Sequence, residues 1–212
     1  MCNCALQAGA GADPEYTPDT RDNGAVTRIV ALGDSHLDRL LERQQELACP
    51  AHEPDAQVWN WAVGGSRTSE LAGQLDRADV QPGDRVVISI GTNDAASWYP
   101  LPLAQARDLL EATLEDLSRH GAGRVVLLTT PGVDRLRLPQ SNEGTEADLR
   151  AHARAYAEVA RARGHTVVDA AEVLAGLGAE AFAEDGLHLS RAGYDRLVPV
   201  LRDGLCEDPS HR

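Results

Sequence analysis

The chain of 212 residues contains no lysine, and all 20 of its basic residues are arginine. Without lysine there is no amine to form a Schiff base with pyridoxal phosphate, and no lysine to hold nucleotide phosphates in a Walker A loop. No apolar run approaches the roughly eighteen residues that a membrane-spanning helix requires. These absences exclude pyridoxal-phosphate enzymes and P-loop nucleoside triphosphatases, and they predict no membrane partner.

Positive charge is also scarce. The arginines are outnumbered by 33 acidic residues, which gives a formal net charge of −13 at pH 7. Nucleic-acid binding needs a basic face that neutralises phosphates, so no nucleic-acid partner is expected. The negative charge suits a neutral or cationic small substrate, and it equally suits solubility alone.

Cysteine is sparse, with four residues at positions 2, 4, 49 and 206. Their spacing matches no zinc pattern, so we predict no metal or redox site. We expect Cys2 and Cys4 to lie in a tail, and Cys49 and Cys206 to be packed thiols. The N-terminus lacks the basic leader and the long apolar stretch of a signal peptide, which predicts a cytoplasmic protein.

Short runs of valine, isoleucine and leucine alternate with amphipathic stretches along most of the chain. The runs predicted as strands are 26–32, 57–63, 85–90, 124–130 and 165–169. The stretches predicted as helices are 37–47, 69–77, 103–119, 145–163 and 191–202. Strands of continuous apolar residues are typical of a parallel sheet buried on both faces. The alternation predicts one three-layer, doubly wound α/β domain over residues 26–204, with tails at 1–25 and 205–212.

The first three predicted strands end in turns that carry functional candidates. Ser35 closes a Gly-Asp-Ser turn, Gly65 closes a Gly-Gly turn, and Asn93 lies in a Gly-Thr-Asn-Asp turn. Ligands of open parallel sheets bind beyond the carboxyl ends of the strands, so these residues are expected at one edge. A fourth turn, residues 185–188 (Asp-Gly-Leu-His), precedes the last predicted helix.

Together these turns contain the groups that acyl transfer requires. A serine hydroxyl attacks only when a base removes its proton, and His188 is the candidate base for Ser35. Asp185 lies three residues earlier and is the candidate that fixes the imidazole tautomer and stabilises the imidazolium. The backbone N–H groups of Ser35 and Gly65 and the side-chain amide of Asn93 are candidate donors to an oxyanion.

In this order and at these spacings, the four turns resemble the sequence blocks of the SGNH hydrolases, also called GDSL-type esterases and lipases. The stretch 185–194 (DGLHLSRAGY) is especially similar to the last block, and the resemblance covers residues 28–202. It implies a flavodoxin-like sheet of five parallel strands. The roles that it implies are the nucleophile Ser35, the relay Asp185 and His188, and the oxyanion hole Ser35, Gly65 and Asn93.

The sequence departs from the family pattern at three positions. Ala62 stands where the second block often has a glycine, and Leu189 replaces a common proline after the histidine. His36 follows the nucleophile, where the family more often has an apolar or small residue, and this change bears on substrate preference. His36 is poorly placed as a second base, so it either lines the site or lies under the following helix. His36 and Trp98 are the candidates for lining the substrate pocket.

The sequence therefore predicts a cytoplasmic serine esterase that hydrolyses a small acetyl or short acyl ester through an acyl-enzyme, without a metal or organic cofactor. Two alternatives stay open. An alcohol or amine could capture the same acyl-enzyme, which would make the protein an acyltransferase. The fold could also serve as a binding module without catalysis, although the intact Ser35, Asn93, Asp185 and His188 argue against it.

Overall fold

A single parallel sheet forms the centre of the computed structural model, which describes residues 27–49, 55–96, 100–138 and 146–206. The strands are β1 (Arg28–Gly33), β2 (Gln57–Asn60), β3 (Arg85–Ser89), β4 (Arg124–Leu128) and β5 (Thr166–Val168). All neighbours pair in parallel in the order β2-β1-β3-β4-β5. This is the flavodoxin-like order, so the predicted doubly wound sheet of five strands is confirmed. The predicted tail over residues 1–25 lies outside the described residues.

Alternate residues of the strands point into two separate cores. Ile29 and Val87 face one side of the sheet, whereas Val30 and Ile88 face the other, and all four side chains are fully buried. Because side chains alternate along a strand, a strand covered on both faces must be apolar at every position. The continuous valine, isoleucine and leucine runs are therefore the direct cause of the three-layer architecture.

Helices cover both faces of the sheet. They are α1 (Ser35–Asp38), α2 (Leu71–Ala78), α3 (Leu103–Arg119), α4 (Glu146–Ala162), α5 (Ala170–Leu174) and α6 (Arg191–Cys206), with 3-10 helices at Leu41–Leu47, Thr68–Glu70 and Ala175–Ala181. Apolar side chains of α2, α3 and α4 pack in one core, and those of α1, α5 and α6 pack in the other. Within the described ranges, no helix combines the length and the apolar character needed to cross a membrane.

The helices differ from the sequence prediction at three places. The predicted helix 37–47 is interrupted after α1 and resumes as a 3-10 helix, because Leu37, Leu40 and Leu47 can all reach the core without one continuous helix. Helix α5 and the 3-10 helix that follows it were not predicted, since both are too short to show a clear hydrophobic period. Helix α6 extends past the predicted boundary at residue 204, and Leu205 is fully buried.

Cys49 and Cys206 form a disulfide, so the prediction of two packed thiols at these positions is wrong. The bond joins the loop after the 3-10 helix Leu41–Leu47 to the C-terminal end of α6, across 157 positions of sequence. Such a pairing depends on how α6 packs against that segment, and the spacing of cysteines does not reveal it. Cys2 and Cys4 lie outside the described residues.

Candidate active site

The turn that carries Ser35 directly follows β1 and is hydrogen-bonded to the end of β3. Ser35 is the first residue of α1, and the Asp34 carboxylate caps the helix by accepting a hydrogen bond from the His36 N–H at 3.0 Å. The Asp34 N–H donates to the Ser89 carbonyl at 2.8 Å. Gly33 has a φ of +134°, and a Cβ atom there would overlap the same carbonyl group. Only glycine permits this approach, which fixes Ser35 at the carboxyl edge of the sheet.

Gln74 of α2 holds this turn from the other side and was missed by the sequence analysis. Its Oε1 accepts from the Gly33 N–H at 2.6 Å, while its Nε2 donates to the Gly33 carbonyl at 2.9 Å and to Ser66 Oγ at 3.1 Å. These bonds tie the Ser35 turn to the loop that contains Gly65. The one available signal in the sequence was a polar residue on the buried face of α2, where Gln74 is 1% exposed.

We expect the Gln74→Leu variant to show a kcat for 4-nitrophenyl acetate reduced by about 10- to 100-fold, with a much smaller change in KM. The substitution leaves the Gly33 N–H without a partner, which costs about 1–3 kcal/mol in stability, whereas the Gly33 carbonyl keeps the bond from the Val63 N–H at 3.0 Å. A displacement of about 1 Å between the Ser35 turn and the Gly65 loop has a large effect on rate.

Gln74→Glu keeps the acceptor but loses both donated bonds, so it tests the same role if the leucine variant does not fold. Gln81→Leu is the matched control, because Gln81 is exposed and its side chain donates one bond, to the Asp79 carbonyl within the α2–β3 connection. An unchanged kcat in folded Gln74→Leu enzyme would contradict the positioning role.

The loop that contains Gly65 lies against the nucleophile and is joined to Asn93. A Cβ atom placed on Gly64 would lie 3.8 Å from the Cβ atom of Ser35. The Asn93 Nδ2 donates to the Ser66 carbonyl at 2.9 Å, and an amide that makes this bond has a second N–H to offer. Gly65 has a φ of +81° with no atom within 4 Å of its Cβ position. The three candidate oxyanion donors therefore belong to turns in direct contact.

Asp185 and His188 form a hydrogen-bonded pair before α6. The Asp185 Oδ2 lies 2.6 Å from the His188 Nδ1, while its Oδ1 accepts the backbone N–H groups of Leu187 and His188, each at 3.0 Å. Burial alone would raise the pKa of the Asp185 carboxyl, but these hydrogen bonds outweigh burial and lower the pKa to about 2. In the described ranges, no group of three or more histidine, cysteine or acidic side chains could hold a metal ion.

His36 lies beneath the site and is 1% exposed. Its Nε2 is 3.3 Å from Thr92 Oγ1, and its ring centroid is 6.4 Å from that of His188. Burial, followed by the charges of His188 and Arg39, lowers the pKa of His36 to about 3 against the opposing effect of Asp185. His36 is therefore neutral at neutral pH, and its side chain presents almost no surface to a substrate.

Helix α6 fixes the segment that carries His188 to the segment that carries Ser35. Ser190 caps the helix by accepting a hydrogen bond from the Gly193 N–H at 3.1 Å. Tyr194, on the first turn of α6, donates its hydroxyl proton to the His36 carbonyl at 3.0 Å. Since His36 directly follows Ser35, this bond anchors α6 beside the nucleophile turn.

A second buried network, which the sequence analysis did not identify, supports the Asn93 turn. Asp94 Oδ2 accepts from Thr68 Oγ1 at 2.6 Å and from the Tyr156 hydroxyl at 2.7 Å, and Asp94 is fully buried. Asp34 is fully buried nearby, and burial, together with the Asp94 charge, raises its pKa to about 7 against the opposing hydrogen bond from the His36 N–H. The hydrogen bonds of Asp94 therefore join the turn after β3 to the 3-10 helix Thr68–Glu70 and to α4.

Trp98, the other candidate for lining the pocket, lies outside the described residues. Trp59 is 44% exposed, with the Arg28 guanidinium 5.3 Å from its ring centroid, so it belongs to the surface. Trp61 is half-buried and packs against the core that contains α2, α3 and α4. Trp59 and Trp61 therefore contribute to the surface and to the core, whereas Tyr194 reaches the segment beside Ser35 through the His36 carbonyl.

Solved structures with this architecture include several ester hydrolases. A lipase/acylhydrolase from Enterococcus faecalis has a TM-score of 0.68 and 24% identity, covering 84% of this chain and 94% of its own. A protein of Streptococcus pneumoniae described as a platelet activating factor has a TM-score of 0.68 and 28% identity, covering 87% of this chain and 86% of its own. An acetylxylan esterase from Geobacillus stearothermophilus has a TM-score of 0.65 and 19% identity, covering 87% and 96%. A comparison with curated proteins finds no match.

Family membership follows from the sequence itself. The model of the GDSL-like Lipase/Acylhydrolase family matches residues 27–196, which is well over half of the chain. This span includes the Ser35 turn, the turns of Gly65 and Asn93, and the Asp185–His188 pair. The resemblance seen in the four turns is thus confirmed: the chain belongs to the GDSL-like lipase/acylhydrolase family and is a carboxylic-ester hydrolase.

Proposed function

We propose that this hydrolase cleaves a small acetyl or short acyl ester through an acyl-enzyme on Ser35. The observation that carries the proposal is the 2.6 Å hydrogen bond between His188 Nδ1 and Asp185 Oδ2. An ionised carboxylate accepts hydrogen bonds only, so it holds the imidazole proton on Nδ1. The opposite nitrogen, Nε2, then carries the lone pair that accepts the Ser35 hydroxyl proton.

In the first half of the reaction, the Ser35 oxygen attacks the ester carbonyl carbon while its proton moves to His188. The tetrahedral intermediate places negative charge on the former carbonyl oxygen, which the N–H groups of Ser35, Gly65 and Asn93 stabilise. The intermediate collapses when the C–O bond to the alcohol breaks and His188 returns the proton to the leaving oxygen. Water repeats these steps on the acyl-enzyme and releases the acid.

The role of Asp185 in this cycle is electrostatic. Its pKa of about 2 keeps the carboxylate ionised at every step near neutral pH, so it stabilises the imidazolium without taking up a proton. The ring centroid of His36 lies 6.4 Å from that of His188. Because His36 is neutral, it adds no positive charge that would oppose formation of the His188 imidazolium.

The short acyl group is supported by the acetylxylan esterase among the structural neighbours, whose name specifies an acetyl ester. A fluorophosphonate probe and a series of 4-nitrophenyl esters from acetate to dodecanoate test the proposal together. We expect one probe adduct on Ser35 and a kcat/KM that is highest for the shortest acyl chains. Ser118→Ala enzyme, altered on the outer helix α3, serves as the control that retains labelling.

The same experiments separate the alternatives. A binding module gives no adduct on Ser35, and this outcome would overturn the proposal. An acyltransferase gives the adduct, but with an added alcohol or amine it forms a new ester or amide in preference to the free acid. A rate that rises with chain length to dodecanoate would contradict the short acyl group while leaving the nucleophile intact.

The cellular location stays a prediction. The sequence predicts the cytoplasm, whereas the Cys49–Cys206 disulfide favours an oxidising compartment, because disulfides are rare where glutathione and thioredoxin keep thiols reduced. The predicted partner is a small-molecule ester.

A further inference from the structure

A groove of about 870 Å³ runs between α1, the 3-10 helix Leu41–Leu47 and the first turns of α6. Three arginines line it in a chain whose formal net charge is −13. They are Arg39, Arg43 and Arg191. We call this feature the arginine groove.

The arginine groove adjoins the catalytic residues. Arg39 lies one helical turn after Ser35, and its N–H donates to the Ser35 carbonyl at 3.0 Å. Residues four apart on a helical turn have Cβ atoms about 5–6 Å from each other. At the other wall, Leu189 lines the groove and directly follows His188. The walls of the groove are thus formed by residues that lie one position after the base and one helical turn after the nucleophile in the sequence.

Two of the three guanidinium groups form no direct ion pair with a side chain that the structure describes. Arg43 pairs with both acids of the groove, lying 2.8 Å from Glu46 Oε2 and 2.9 Å from Asp195 Oδ1. Arg39 and Arg191 are exposed. Neither makes a direct ion pair or a side-chain hydrogen bond with a residue that the structure describes. The groove therefore offers two exposed guanidinium groups outside direct ion pairs, although the charge of Arg191 also acts on Glu46.

The groove begins next to His188, because Leu189 lines it. His188 returns a proton to the leaving oxygen, so the alcohol part of the ester must lie beside His188. Leu189 continues that side into the arginine groove. The oxyanion donors Gly65 and Asn93 belong to the turns after β2 and β3, a different part of the edge.

We propose that the natural ester carries an anionic group, a phosphate or a carboxylate, on its alcohol part, and that Arg39 and Arg191 bind this group. The inference rests on the function proposed above. Guanidinium groups match the planar geometry of carboxylate and phosphate oxygens. The distant acidic residues do not cancel this attraction, because salt screens exposed charges beyond about 8 Å at physiological ionic strength.

The test compares two pairs of acetyl esters that differ in the charge of the alcohol: 1-acetylglycerol with 1-acetylglycerol 3-phosphate, and butyl acetate with 4-acetoxybutanoate. Acetate release gives kcat/KM for each. We expect the anionic member to be preferred, chiefly through a lower KM. A charged hydrogen bond contributes about 1.5–3 kcal/mol, so the Arg39→Gln/Arg191→Gln double variant should reduce the preference about 10- to 100-fold. Arg119→Gln, on the exposed end of α3, is the control.

A second readout does not depend on turnover. Glycerol 3-phosphate and 4-hydroxybutanoate should each slow fluorophosphonate labelling of Ser35 in the unmodified enzyme, and less so in the double variant. Protection by one compound alone identifies the phosphate or the carboxylate as the recognised group.

Equal kcat/KM for charged and uncharged esters, with no protection by either anion, overturns the arginine groove as a binding site and leaves the esterase intact. Absence of any adduct on Ser35 overturns the esterase proposal instead. The two failures are therefore distinguishable in one set of samples.

Discussion

The Ser35→Ala variant is expected to lose hydrolysis of 4-nitrophenyl acetate, with kcat reduced by about four to six orders of magnitude. The reason is that no other group in the Gly-Asp-Ser turn can form the acyl-enzyme. Removal of the nucleophilic serine from other serine hydrolases reduces kcat by a similar factor. The residual rate reflects substrate binding and the oxyanion donors.

The same variant should fold normally. Ser35 is half-buried at the first position of α1, and its hydroxyl makes no hydrogen bond with the described side chains. Alanine is also the strongest helix former, so the melting temperature should change by only a few degrees. Kinetics and thermal unfolding measured on one preparation, with Ser118→Ala alongside, check both statements. A folded Ser35→Ala enzyme with the unmodified rate would exclude Ser35 as the nucleophile.

The Asp185→Asn variant is expected to reduce kcat about 10³- to 10⁴-fold while preserving the turn. Asparagine retains an oxygen that can accept the backbone N–H groups of Leu187 and His188, which Asp185 Oδ1 now accepts at 3.0 Å. Its amide donor, however, replaces the acceptor that faces His188 Nδ1. The ring must then carry its proton on Nε2, where it cannot accept the proton of Ser35.

The stability of this variant should also depend on pH in a defined direction. The folded pKa of Asp185 is about 2, below its ordinary value of 3.8, so the carboxylate stabilises the folded state above about pH 4. This contribution disappears as the pH falls through 2. Urea unfolding at pH 7 should therefore give a lower free energy of unfolding for Asp185→Asn than for the unmodified protein. This difference in free energy should become smaller as the pH is lowered toward 2.

Asp169→Asn is the matched control for this experiment. Asp169 caps α5 by accepting the Glu172 N–H at 3.1 Å, so its replacement tests a capping carboxylate remote from the histidine. We expect the control to retain its rate. An unchanged kcat and pH–rate profile in Asp185→Asn would remove Asp185 from the mechanism.

The parts of the fold that the sequence reveals are those with a local cause. Strands buried on both faces are apolar at every position, so β1, β3 and β4 stand out with their ends displaced by only one or two residues. The turns that follow the strands contain glycines and polar residues in a fixed order, which is why four short segments were enough to identify the family.

The parts that the sequence does not reveal depend on contacts between distant segments. Gln74 bonds Gly33 across 41 positions, and a polar residue on the buried face of α2 indicates that a partner exists but not which one. The burial of His36 depends on α6, whose Tyr194 reaches its carbonyl across 158 positions. The Cys49–Cys206 bond likewise arises from tertiary packing.

That bond divides the chain into a covalent ring and an open arm. The ring contains β2 to β5 with the Gly65 and Asn93 turns and the Asp185–His188 pair, while β1 and Ser35 lie on the arm that precedes Cys49. Closing a loop of 157 residues lowers the entropy of the unfolded chain by an amount equivalent to roughly 5 kcal/mol at 25 °C. Because β1 pairs between β2 and β3, an unfolded but oxidised molecule regains its nucleophile only when the arm inserts between two strands of its own ring.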